Sequence, residues 1–121
     1  MARMLYPINC LEAGVVEIGG LLRFVAADTV VTTQVGTGFT AVKNNTGLVD
    51  ITFDDAYPTF LGATLTGIQA AADDKFWEVV SFTAATRVLQ IRCYDISTTA
   101  AAHPLAGDGV TFRARFKQVS Y

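Results

Sequence analysis

Val110-Thr111-Phe112-Arg113-Ala114-Arg115-Phe116-Lys117 is a run that alternates without a fault. Val110, Phe112, Ala114 and Phe116 interleave with Thr111, Arg113, Arg115 and Lys117. Successive side chains on a strand point to opposite faces, so this period of two sends the first set into a dry layer and the second into a wet one. Two upstream runs obey the same rule. Val49, Ile51 and Phe53 alternate with Asp50 and Thr52, and Leu89, Ile91 and Cys93 with Gln90, Arg92 and Tyr94.

Working outward, the run Leu48 to Phe53 pairs naturally with Phe39 to Lys43. Between them lies Asn44-Asn45-Thr46-Gly47, whose Asn and Gly residues tolerate positive φ. Phe76 to Phe82 and Arg87 to Tyr94 predict a second hairpin around Thr83-Ala84-Ala85-Thr86, and Phe60 to Ile68 predicts a strand between the hairpins. Asp54-Asp55-Ala56-Tyr57-Pro58 breaks pairing, because Pro58 lacks a donor and two acids repel at a sheet edge. Val15 to Val25 reads as β, with Gly19-Gly20 predicting a turn or bulge at its middle. Asp28 to Thr37 fits either a strand or an extended loop. Gln69 to Asp74 fits a helical turn or a loop, and Ile96 to Gly109 is a long polar, Ala-rich loop.

Six to eight short strands with little helix predict an all-β fold, either a compact β-sandwich or a small barrel of antiparallel strands. Residues 1–13 read as an extended N-terminal arm: Pro7 blocks regular pairing, and Met4, Leu5, Ile8 and Leu11 follow no clean period. Residues 14–121 then make a single β domain, which at this length buries roughly two-thirds of its unfolded surface without help from metal or disulfide.

Charged residues make up 17% of the chain, against about 25% in average soluble chains. That shortage favours a surface shared with other subunits. The net charge of −2 is unevenly spread: nine acids and four bases precede Arg87, whereas two acids and five bases follow from it onward. Three spaced cations in a chain of pI about 5.1 are no footprint for nucleic acid. The opening residues carry no secretory apolar block, and the longest uncharged stretch, Ala56 to Ala72, is interrupted by Pro58, Gly62 and Gly67, so neither a signal peptide nor a membrane span is expected.

Chemistry needs convergent groups, and the sequence offers few. His103 is the only imidazole, and Cys10 and Cys93 form no short-spaced metal or redox motif, so two buried or half-buried thiols are expected. Ser81, Ser97 and Ser120 stand in no nucleophile elbow. A metal or enzymatic role would need Asp54, Asp55, Asp73, Asp74 and Asp95 to gather at one pocket. A sugar-binding role would need Tyr57, Phe76 and Trp77 to form a stacking platform.

Two stretches resemble small virion proteins of tailed bacteriophages. Met4-Leu5-Tyr6-Pro7-Ile8 through Leu11-Glu12-Ala13-Gly14-Val15-Val16-Glu17-Ile18-Gly19-Gly20 is similar to an N-terminal signature of short proteins encoded near phage head genes. Leu48-Val49-Asp50-Ile51-Thr52-Phe53-Asp54-Asp55-Ala56-Tyr57, followed by Leu61-Gly62-Ala63-Thr64-Leu65, looks like their strand, acidic turn and strand element, and Val110 to Tyr121 fits their ending. The resemblance implies a head decoration (cement) protein on the outer capsid surface, assembled in the host cytoplasm. It implies a phage major capsid protein as partner, a homotrimer, and no cofactor. Capsid or subunit contacts are then expected from Met4, Leu5, Tyr6, Ile8 and Leu11 in the arm and from Arg113, Arg115 and Lys117 in the last strand. The alternative is a tail or fibre module that recognises a cell-surface glycan.

Overall fold

The structure, a computed structural model, describes residues 14–24, 31–69, 75–96, 102 and 108–117. The expected arm with its Met4, Leu5, Tyr6, Ile8 and Leu11 lies outside the described residues, as do Cys10, Asp73, Asp74 and His103. Eight strands follow one another: β1 (Val15–Phe24), β2 (Val31–Val35), β3 (Phe39–Asn45), β4 (Leu48–Phe53), β5 (Thr59–Ile68), β6 (Lys75–Thr83), β7 (Val88–Asp95) and β8 (Gly109–Lys117). They form two four-stranded antiparallel sheets, ordered β2-β1-β8-β5 and β3-β4-β7-β6. The fold is thus all-β, and of the two architectures expected it is the sandwich.

The alternating runs bury the faces that their period predicts. Val110, Phe112, Ala114 and Phe116 of β8 are essentially inaccessible, as are Val49, Ile51 and Phe53 of β4 and Leu89, Ile91 and Cys93 of β7. These strands are the interior members of their sheets, where both neighbours enforce the register. Aromatic rings join the layers. Phe112 meets Phe39 edge-on at 4.8 Å, Phe116 meets Phe53 edge-on at 4.9 Å, and Phe24 stacks on Trp77 at 5.1 Å. Of the stretch from Asp28 to Thr37, Val31–Val35 forms the short edge strand β2. Cys93 is buried outside any disulfide; its N–H donates to Gly47 O and its carbonyl accepts from Ala102 N–H, which ties the β3–β4 turn and Ala102 to this strand.

Gly19-Gly20 makes no turn and no bulge. β1 pairs with β8 without interruption, Gly19 opposite Arg113 and Gly20 opposite Phe112. Two neighbours demand glycine: a Cβ on Gly20 would sit 2.4 Å from Cζ of Phe39 in the other sheet and 2.6 Å from Val35 O on the adjacent β2. The missing side chain is the space that the Phe39 ring fills.

Bulges occur instead at the sheet margins. The pairing skips Thr32 in β2, Asn44 in β3, Leu61 in β5 and Val80 in β6. All four edge strands carry one extra residue, and the four interior strands carry none. A bulge leaves a residue unpaired and twists the strand, which spoils an edge as a template for further pairing. At β5 the bulge is followed by Gly62, whose φ of +131° few other residues adopt.

Gly20→Ala is expected to cost about 1–3 kcal/mol through overpacking. In a double-mutant cycle with Phe39→Ala, denaturant melts should show the two changes partly coupled, because removing the ring relieves one of the two close approaches and leaves Val35 O. Strict additivity would mean that the ring is not what excludes a side chain at Gly20.

Candidate interaction surface

The two outer faces of the sandwich differ in how their charges are used. On the second sheet, Asp50 accepts hydrogen bonds from Asn44 Nδ2 at 2.9 Å and Gln90 Nε2 at 3.0 Å. Arg92 pairs with Glu78 at 2.8 Å and lies over the Tyr94 ring at 5.2 Å. These residues satisfy one another across neighbouring strands, as cross-strand pairs on a wet face do.

On the first sheet, the outward positions of β8 are Thr111, Arg113, Arg115 and Lys117. Arg113 and Arg115 are exposed, and among the described residues neither forms a salt bridge. Their neighbours are small. Arg113 lies opposite Gly19 on β1 and Thr64 on β5, while Arg115 lies opposite Glu17 and Gly62. Glycines and short threonines beside long cations leave a depression of about 440 Å³, bordered by Gly19, Thr64, Thr66, Thr111 and Arg113. Thr111 Oγ1 donates to Thr66 O at 3.4 Å, which ties β8 to β5 on this side. Lys117 is half-buried and has a partner of its own. The expected basic triplet therefore divides into two available arginines and one engaged lysine.

The β4–β5 crossover contributes the opposite charge. Asp54 and Asp55 are both exposed. The backbone around them is held in place: Asp54 N–H donates to Gly38 O at 3.0 Å, and Arg87 Nη1 donates to Asp54 O at 2.7 Å. Arg87 itself has φ of 61°, an unusual value for a side chain of its size. Its N–H bonds to Ala84 O, and its carbonyl accepts from Phe53 N–H, which fixes that conformation. Tyr57 stacks on Phe116 at 4.8 Å. Burial, then the charges of Asp55 and Asp54, push its hydroxyl above the usual tyrosine range.

Among the described residues the other groupings expected from the sequence do not assemble. Phe76 points outward toward Tyr94, at 6.3 Å, whereas Trp77 points inward onto Phe24. Tyr57 stacks near the Phe116 end of β8, and Trp77 lies by Gly67, opposite Val110 at the other end. Tyr57, Phe76 and Trp77 thus form no common platform. A smaller hollow of about 260 Å³ does lie beside Gln69, Lys75, Phe76 and Trp77. Asp95 is bound to Lys75 at 2.7 Å, at the opposite end of the second sheet from Asp54 and Asp55. Among the described residues no three His, Cys, Asp or Glu side chains converge as metal ligands. No family model, no curated protein and no solved structure matches this chain.

Replacing both acids, Asp54→Asn with Asp55→Asn, should lower the titration midpoint of the Tyr57 ring measured by NMR. The midpoint should stay above the ordinary tyrosine value, since burial remains. An unmoved midpoint would show that the acidic turn exerts no field at the ring.

Proposed function

We propose that this protein is a structural component of a phage virion, a decoration protein that binds the outer capsid shell and helps to hold its subunits together. The observation that carries the reading is the outer face of the first sheet. It carries two exposed arginines that have no ion-pair partner among the described residues, beside a threonine-lined depression. Exposed guanidinium groups without an internal counter-ion on an open sheet face suit contact with a carboxylate-bearing protein surface. The resemblance of the opening residues and of the Leu48 to Leu65 element to phage head proteins supplies the identity of the shell. Under this reading the arm residues Met4, Leu5, Tyr6, Ile8 and Leu11 attach to the major capsid protein, and the sandwich spreads over the junctions between subunits, as a homotrimer.

Binding of this kind stabilises an assembled shell by mass action, since the protein binds the closed state and not its separated parts. Many identical contacts acting together need only modest affinity each. Bulged edges fit the same role, because copies crowded on a shell must not add strands to one another.

Electron microscopy of phage capsids with and without the protein tests the reading: added density should appear at subunit junctions, in a copy number near that of the shell. Deleting residues 1–11 should leave the β-sandwich intact by circular dichroism and abolish co-sedimentation with capsids. A handful of copies per particle, or normal attachment by the truncated chain, would overturn the cementing role or the arm's part in it respectively.

A further inference from the structure

Among the described residues, two groups of charged side chains form no ion pair or hydrogen bond. Lys75 is paired with Asp95 and Arg92 with Glu78, while Asp50 is bound by two amides. Arg87 bonds to a backbone carbonyl, and Arg23, Lys43, Asp108 and Lys117 each have a partner. What remains is Arg113, Arg115 and Glu17 on the outer face of the first sheet, and Asp54 and Asp55 on the β4–β5 crossover. Glu17 lies across from Arg115 and offsets at most one charge, and Arg113 has only Gly19 and Thr64 beside it.

No ion pair joins the two groups within one molecule. Asp54 is anchored through both its N–H and its carbonyl, to Gly38 and Arg87, at the end of the second sheet. Arg113 and Arg115 stand on the central strand pair of the first sheet, facing away from the sandwich. We propose that a second copy of this chain seats its Asp54–Asp55 turn on that face, with the two carboxylates against the two guanidinium groups. Alternate residues on a strand are about 6.8 Å apart and consecutive residues about 3.8 Å, a difference that long arginine side chains span without strain. Arginine also presents a planar fork that matches a carboxylate in two-point contact. The depression beside Arg113 gives the incoming turn room, and the threonine hydroxyls around it add polar partners.

Turn and face are different surfaces, so the contact is head-to-tail, and repeating it closes a ring or extends a filament. Strand addition at an edge is the competing route, and a bulge stands in its way on each of the four edge strands. The inference rests on reading this face as a contact surface, and it does not require that the wider partner be a capsid. Self-association is measured with no capsid present, so failure here is distinct from failure of the shell reading.

Sedimentation equilibrium of the full chain tests it. Association should weaken as salt rises, since exposed charges are screened. Arg113→Glu with Arg115→Glu should lower the association constant about tenfold or more, and Asp54→Lys with Asp55→Lys should do the same. A chain carrying all four changes should regain association, because the charges are exchanged and still complementary. An equal mixture of the two doubly substituted chains should regain it as well. Should a charge reversal perturb folding, judged by circular dichroism, Arg113→Gln with Arg115→Gln and Asp54→Asn with Asp55→Asn read the same contact without new repulsion. A wild-type chain that stays monomeric in dilute buffer would overturn the proposal. So would association that is lost on changing the arginines but untouched by changing the acids, or a four-site exchange that folds and stays apart.

Discussion

The ring of Phe116 is where the two sheets are locked. It projects from β8 and lies within 4.8 to 5.6 Å of Tyr57, Phe53, Phe82 and Phe60, which come from both layers and from the crossover between them. A single side chain thus connects β4, β5, β6 and the acidic turn, and it does so with none of its surface left to water. Phe112, four residues earlier, repeats the arrangement with Phe39 and Phe53. With these rings inside, the period of two leaves Arg113, Arg115 and Lys117 no position but the outer face. Core and contact surface are two sides of one strand.

The same lock positions the acidic turn. Tyr57 is held by its stack on Phe116, and Asp54 by the Gly38 and Arg87 bonds, so the carboxylates are displayed from a fixed backbone. A rigid turn loses little conformational freedom when it meets a partner, which favours it over a loose loop as a contact element. The second sheet has no such reserve, since Asp50, Glu78 and Arg92 are already engaged with neighbours.

Much of this was legible in the residues and some of it was not, for identifiable reasons. Alternation exposed the interior strands β4, β7 and β8, because burial on one face writes itself directly into residue type. The Asn-Gly turn and the Pro58 break were local signals and were read locally. β2 was ambiguous because a short edge strand is buried too little to impose a pattern. Gly19-Gly20 misled: two adjacent glycines signal a turn by themselves, whereas here Gly19 is crowded by Phe112 O on the neighbouring strand and Gly20 by Phe39, nineteen residues on and in the other sheet, and by Val35 O. The four bulges left no mark, since a bulge is a property of register between two strands. Phe76 and Trp77 belonged to opposite faces by simple parity, and the sequence did contain that information.

Cys93 turns its seclusion into a gauge. Its side chain lies on the buried face of β7 with no exposed surface, so a thiol reagent reaches it only when the sandwich opens locally. In a chain with Cys10→Ser, the labelling rate of Cys93 therefore reports the frequency of native-state opening, with no dye or tag added. The sandwich carries an internal clock for its own breathing.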